Sequence, residues 1–212
     1  MTHAFDESYW ESHWQERNGH GGKYRIGPNP YLQLELAGLQ PGTALDAGSG
    51  EGAEAAWLAT HGWQVSAVDI SSEALKRAAA NATVAGVAVN WVHADLGDWK
   101  PSESFDLVTT FYAHPAMPQL AFYERISEWV APGGTLLIVG HLYTHDDSHG
   151  HNPPVGTQVT AASVSAILDP VDWRIETTVE RDRTLLDRSG RVASLRDVVV
   201  RATRGTVAES TP

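Results

Sequence analysis

Three glycines at alternating positions, Gly48, Gly50 and Gly52, interrupt an apolar run that carries Asp46 and Ser49 and then resumes as an alanine-rich stretch. A glycine lacks a Cβ and lets a ligand approach the backbone, and a helix beginning just after such a loop offers unpartnered N–H groups. Asp69, at the end of the next apolar run, is a carboxylate that could accept both hydroxyls of a ribose. Together these residues predict a nucleoside cofactor. The loop alone leaves its identity open, because Gly48, Gly50 and Ala53 also satisfy the G-x-G-x-x-G/A pattern of dinucleotide sites. Asp46 adds a charge that would repel a pyrophosphate and favour an ammonium or sulfonium cation.

A second group of side chains could handle a proton. Tyr112 and His114 follow the apolar run that starts at Phe105, and His141 follows the run 135–139. Ligands of open α/β sheets bind outside the carboxyl ends of the strands, so these three are the candidate base or acceptor-orienting groups. His141, His145, His149 and His151 surround Asp146 and Asp147 in a Gly- and Pro-rich loop. That spacing fits no metal-ligand pattern, and no metal site is expected. There is no H-E-x-x-H or P-loop lysine, and Ser49 has Ala47 rather than glycine two residues before it, so it is no nucleophile elbow.

The elements that must position these groups alternate. Strands are expected at 43–48, 64–70, 89–96, 105–113 and 135–139, with helices at 53–62, 73–85 and 118–130 between them. Gly62 suits a left-handed helix end, and Ser71 or Ser72 suits an N-cap. The run 135–139 is apolar without alternation, as a strand covered on both faces requires. This alternation predicts an α/β fold with a doubly wound, mostly parallel sheet. After a loop at 140–158 and a short helix at 160–169, two β-rich runs at 173–184 and 193–203 flank the turn sequence "DRSGR" and predict an antiparallel hairpin. The charges of "RDRT" and "RSGR" read as its solvated face. Trp10 and Trp14 lie four apart on an amino-terminal helix, whose stripe could anchor it to the core or cover the site.

Composition narrows the function further. Fifteen Lys and Arg against 26 Asp and Glu leave a formal charge of -11, which disfavours nucleic acid and anionic membranes as partners and favours a small-molecule substrate. The absence of cysteine removes disulfides, thiolate nucleophiles and thiolate metal sites. No apolar stretch suits a membrane span and the amino terminus resembles no leader, so a cytoplasmic protein is expected. One domain over 1–212 is expected, with a segment 1–40 lying over a core at 41–204 and a loose tail at 205–212.

The ordered segments "LDAGSGEG", "VDIS", "HADLGDW", "FDLVTTFYAHP" and "APGGTLLIVG" resemble the class I S-adenosylmethionine-dependent methyltransferases. The amino-terminal "HWQERNGHGGKYRIGPNPYLQLELAG" is similar to the lid of small bacterial methyltransferases of the tellurite-resistance and thiol-methylating type. The resemblance implies a Rossmann-like, seven-stranded sheet completed by the hairpin, an amino-terminal helical lid, and S-adenosylmethionine as cofactor. It implies that Asp46, Gly48 and Gly50, with Ser49 between them, contact the methionyl part. Asp69 would hold the ribose, Ile70 would pack on the adenine, and Asp95 with Leu96 would bind the adenine edge. Thr110 or Phe111 would lie beside the transferable methyl group, and Trp14, Arg17 and Asn29 would belong to the lid. The implied activity is methyl transfer to a small nucleophile such as a thiol, chalcogen or phenol. The rival classes are a nicotinamide-dependent oxidoreductase sharing the loop and a non-catalytic S-adenosylmethionine binder.

Overall fold

A computed structural model of the chain describes residues 5–16, 27–142, 159–186 and 192–206. The apolar runs become β1 (Thr43–Ala47), β2 (Gln64–Asp69), β3 (Asn90–His93), β4 (Phe105–Phe111), β5 (Val130–His141), β6 (Trp173–Leu186) and β7 (Val192–Arg204). They form one seven-stranded sheet in the order β3-β2-β1-β4-β5-β7-β6. The first five strands are parallel, and β7 inserts antiparallel between β5 and β6. Strand order reverses between β1 and β4, which leaves a crevice at their carboxyl ends where open α/β sheets bind ligands.

Both faces of the sheet are covered, and the side-chain period of two distributes the core between them. Leu45, Val108, Leu136 and Ile138 pack with Phe122, Tyr123 and Ile126 of α5 (Gln119–Ser127) and Val164 of α6 (Ala161–Ala166). Ala44, Leu107, Leu137 and Val139 pack with Leu32 of α2 (Pro30–Glu35) and Leu58 of α3 (Ala53–Thr60). The unalternating run in β5 thus feeds two cores, each buried aliphatic side chain contributing about 2 kcal/mol. Ser71 caps α4 (Ser72–Ala85) by accepting from the Ala74 N–H, and Gly86 closes it in the left-handed conformation. The amino-terminal helix α1 (Glu7–Glu16) contacts α4.

Several boundaries differ from those expected. β3 stops at His93, because Asp95 turns the chain by accepting from the Gly97 N–H at 2.8 Å. β5 begins at Val130, which pairs with Phe105 before a register shift, and extends to His141, opposite Asp197. Residue 140 therefore opens no loop: Gly140 and His141 are held in the sheet. Helix α2 was not expected; Pro30 at its first turn and the Asn29 cap give it a start. The turn 187–191, the tail beyond 206 and the histidines 145, 149 and 151 lie outside the described residues, among which no helix is long and apolar enough to cross a membrane.

Candidate active site

The glycine loop is built by its own backbone. The N–H groups of Gly48 and Ser49 both donate to the Val68 carbonyl of β2, at 2.9 and 3.0 Å, and that of Gly50 donates to Asp69 Oδ2 at 2.7 Å. Satisfying these bonds puts all three glycines at positive φ, 81°, 51° and 74°, where a side chain is strained. Packing adds its own demand. A Cβ on Gly48 would stand 2.3 Å from that of Ala113, and one on Gly52 would meet Trp91 at 2.5 Å. The loop's leading donors are thus committed to β2, and few remain for a phosphate.

What the loop presents instead is negative charge. Asp46 is 1% exposed; Thr109 Oγ1 donates to its Oδ1 at 3.2 Å, while its Oδ2 and the buried Ser49 hydroxyl have no partner among the described residues. Burial first, then Glu54 and Asp69, raises the Asp46 carboxyl well above its ordinary value, against the Thr109 and Ala55 donors. Burial also raises Glu54, which accepts from the Asn29 N–H at 3.0 Å, and Asp69, whose backbone donors only partly offset the effect. Three carboxyls in so small a space resist ionising together. A cation would relieve them, and a pyrophosphate would aggravate them. The orphaned Asp46 oxygen and Ser49 hydroxyl fit the ammonium and sulfonium of S-adenosylmethionine, and nothing favours the dinucleotide alternative.

Asp69 is fixed at both oxygens, since the Ser71 N–H donates to Oδ1 at 2.9 Å. It is not the cap of α4, a role taken by Ser71. Beside it, α1 docks through Glu11, which accepts from the hydroxyls of Ser71 and Ser72 at 2.7 and 3.1 Å and from the Glu73 N–H at 3.3 Å. Arg77 donates to the Trp14 carbonyl at 2.5 Å and pairs with Glu51 of the loop at 3.0 Å and Glu73 at 3.1 Å. The Trp14 ring then lies 3.2 Å from where a Cβ on Gly50 would stand.

The other side of the crevice is aromatic. Trp10 stacks on Phe5 (centroids 5.7 Å apart), Phe5 on His114 (5.6 Å), His114 on His141 (6.0 Å) and His141 on Tyr112 (4.3 Å). Trp10 Nε1 also donates to the His114 carbonyl at 3.1 Å. Burial lowers His114, and burial aided by His114 lowers His141 to about 4, so both imidazoles are neutral near pH 7. Tyr112 has a φ of 55°, rare for a side chain of its size. Its hydroxyl donates to Asp197 at 2.9 Å and accepts from Arg183 at 2.8 Å and Asn29 at 3.3 Å. Burial and Asp197 push that phenol far up, so it is held protonated and offers its ring to His141.

The remaining expected residues fall around these two groups. Leu96 is buried, and Ile70 gives its carbonyl to His93 at 2.8 Å. Thr110 is fully buried and donates to the Ala47 carbonyl at 2.8 Å, while Phe111 packs against the core on the α2 face. Asn29 caps α2 as it reaches Tyr112. Asp95 makes the turn already described, and Arg17 lies outside the described residues. Five participants were not anticipated: Phe5, Glu54, Gln119, Arg183 and Asp197. Arg183 belongs to the "RDRT" charges read as solvated, yet it meets the fully buried Asp197 at 2.8 Å. An isolated Asp in the apolar run "LRDVVV" was the available signal, because a carboxylate at a core position demands a cation.

A family model described as a methyltransferase domain matches residues 44–134. Over that stretch the chain is similar to class I S-adenosylmethionine-dependent methyltransferases. The chain is 26% identical over 196 residues to thiocyanate methyltransferase 1 of Brassica oleracea, covering 90% of this chain and 84% of the relative. It is 25% identical over 189 residues to probable thiol methyltransferase 2 of Arabidopsis thaliana, covering 85% and 80%. Its fold matches the solved structure reported for conversion of a disulfide bond into a thioacetal group during echinomycin biosynthesis. That match has a TM-score of 0.72 and 23% identity, with 99% of this chain and 94% of the other covered.

Proposed function

We propose that the chain transfers a methyl group from S-adenosylmethionine to a small sulfur or oxygen nucleophile, with α1 serving as a lid. The observation that carries this reading is the carboxylate cradle of Asp46, Glu54 and Asp69 around a loop whose own N–H groups are already used. The names of the plant relatives, thiocyanate and thiol methyltransferases, support a small acceptor.

In this reading Asp46, Gly48, Ser49 and Gly50 hold the methionyl end and Asp69 the ribose. Ile70, Asp95 and Leu96 hold the adenine, and Thr110 and Phe111 border the reacting carbon. Trp14, Arg17 and Asn29 belong to the lid side. The cofactor supplies a methyl carbon on a sulfonium, a good leaving group that needs no further activation. The protein's part is to fix the acceptor in line at near-attack distance and to exclude water, worth ~7 kcal/mol or more of the barrier. The stacked rings of Phe5, His114, His141 and Tyr112 provide an apolar wall for that purpose.

Calorimetry tests the reading: S-adenosylmethionine is expected to bind and NAD is not. Methyl release from labelled cofactor with thiols and phenols then separates an enzyme from a binder. Tight NAD binding without S-adenosylmethionine binding would refute the proposal.

A further inference from the structure

The Gln119 amide settles which nitrogen of His114 carries its proton. Gln119 is 1% exposed, at the start of α5, and its side chain touches two groups. One is the Ala113 carbonyl at 2.9 Å, which can only accept, so the amide's NH2 faces it. The amide oxygen therefore faces His114 Nδ1 at 2.9 Å, and the bond exists only if Nδ1 bears the hydrogen. Nε2 of the neutral ring is left with the lone pair. Ala113 packs directly against Gly48 of the cofactor loop, so His114 follows the residue that touches that loop. The ring is also gripped from the lid, by Phe5 on its face and by Trp10 on its carbonyl.

Among the described residues, the charges around this corner do not suit an anion. Across the stack lies His141, neutral at pH 7. Beyond it are Asp197 and Arg183, the cation already engaged by Asp197 and by the Tyr112 hydroxyl. Gln119 meets His114 with its oxygen, and Phe5 and Trp10 bring no charge. An acceptor that is already an anion would meet a lone pair and a cation, Arg183, already engaged by Asp197. One that still carries a proton would find a group to take it.

Building on the methyl-transfer reading, we infer that Gln119 is a positioning residue that fixes His114 as the proton acceptor, and that the site selects a protic acceptor X–H over a preformed anion such as thiocyanate. As X attacks, its lone pair forms the X–C bond, and the C–S bond breaks with its electron pair left on sulfur. The X–H proton passes to His114 Nε2. The positive charge lost from the sulfonium reappears on the imidazolium, whose Nδ1–H is already bonded to Gln119, so the total charge of the site is conserved.

Nitrogen-15 NMR of the ligand-free protein tests the tautomer directly: His114 is expected as the Nδ1–H form. In Gln119→Glu a carboxylate replaces the amide oxygen, and the His114 pKa should rise by about one to three units from below its usual 6.5. The acid limb of kcat should move up with it, at unchanged S-adenosylmethionine Kd. Gln119→Leu should lower kcat about tenfold or more with the Kd again unchanged. If that variant does not fold, the wild-type tautomer and the glutamate variant still decide. An alkanethiol and phenol should be methylated in preference to thiocyanate and iodide. An Nε2–H tautomer, an unmoved acid limb or a preference for thiocyanate would overturn the inference while leaving methyl transfer intact. Failure of S-adenosylmethionine to bind would bring down both.

Discussion

The two sides of the crevice are made differently. On the proposed cofactor side, β1, its loop and β2 form a continuous backbone device in which glycine conformations, loop N–H bonds and carboxylates all come from residues 46–71. The proposed acceptor side is assembled from side chains of remote segments: Phe5 and Trp10 from the amino-terminal segment, His114 after β4, His141 from β5, and Arg183 and Asp197 from the hairpin. The first is acidic and drawn from one stretch of the chain, and the second is aromatic, with its ion pair mutually compensated, and is drawn from remote segments. A donor common to many reactions can be held by a local device, whereas an acceptor that varies is met by surfaces that vary independently.

Gly48→Ala should do most damage, because it strikes where the sides touch. The new Cβ enters a left-handed position and collides with Ala113, costing about 3 kcal/mol, or roughly 10 °C in Tm, which a thermal melt would register. A smaller effect confined to one side is expected for Asp69→Ala. Losing a charged acceptor for the ribose costs about 2–3 kcal/mol, a rise in Kd of roughly 100-fold by calorimetry, and an unchanged Kd would disprove the assignment. Trp10→Phe removes the bond to the His114 carbonyl, worth about 1 kcal/mol, and should lower kcat while sparing cofactor Kd. A matching loss in Kd would mean the two sides are not separable.

The smallest effect concerns the latch between them. Hydrogen bonds from Ser71, Glu73 and Ser72 hold the Glu11 carboxyl below its ordinary value despite some burial, so its contribution is present above the unfolded-state value and lost as pH falls through the lowered one. Being largely solvated, it is worth about 0.5 kcal/mol. Glu11→Gln should therefore flatten the acid-side fall in α1 protection measured by hydrogen exchange; an unaltered profile would show that Glu11 does not fasten the helix.

The same contrast explains what the sequence made legible. The loop glycines, Asp46 and Asp69 could be singled out because their residue types and spacing stand out within one stretch of the chain, and both cores followed from the apolar runs. His114 and His141 were found as candidates from strand ends alone. Gln119 was not, since a glutamine at a helix start carries no signal until its carbonyl and imidazole partners are placed. Arg183 was read as solvated because its partner, Asp197, is fourteen residues away across the hairpin. The start of α2 depends on the Asn29 cap, a local signal overlooked beside the lid resemblance.

The position of β7 gives the site a timetable. The last strand of the chain does not lie at the edge of the sheet but between β5 and β6, and it brings Asp197 to hold both Tyr112 and Arg183. On the ribosome, where segments fold in the order they emerge, the pairing of β1 with β2 and of β2 with β3 can form early, before β4 supplies Thr109 to Asp46. Tyr112 must wait in its unfavourable backbone conformation, or outside it, until Asp197, 85 residues further on, has been made. In the proposed reading, the surface for the acceptor is therefore the last part of the site to be completed.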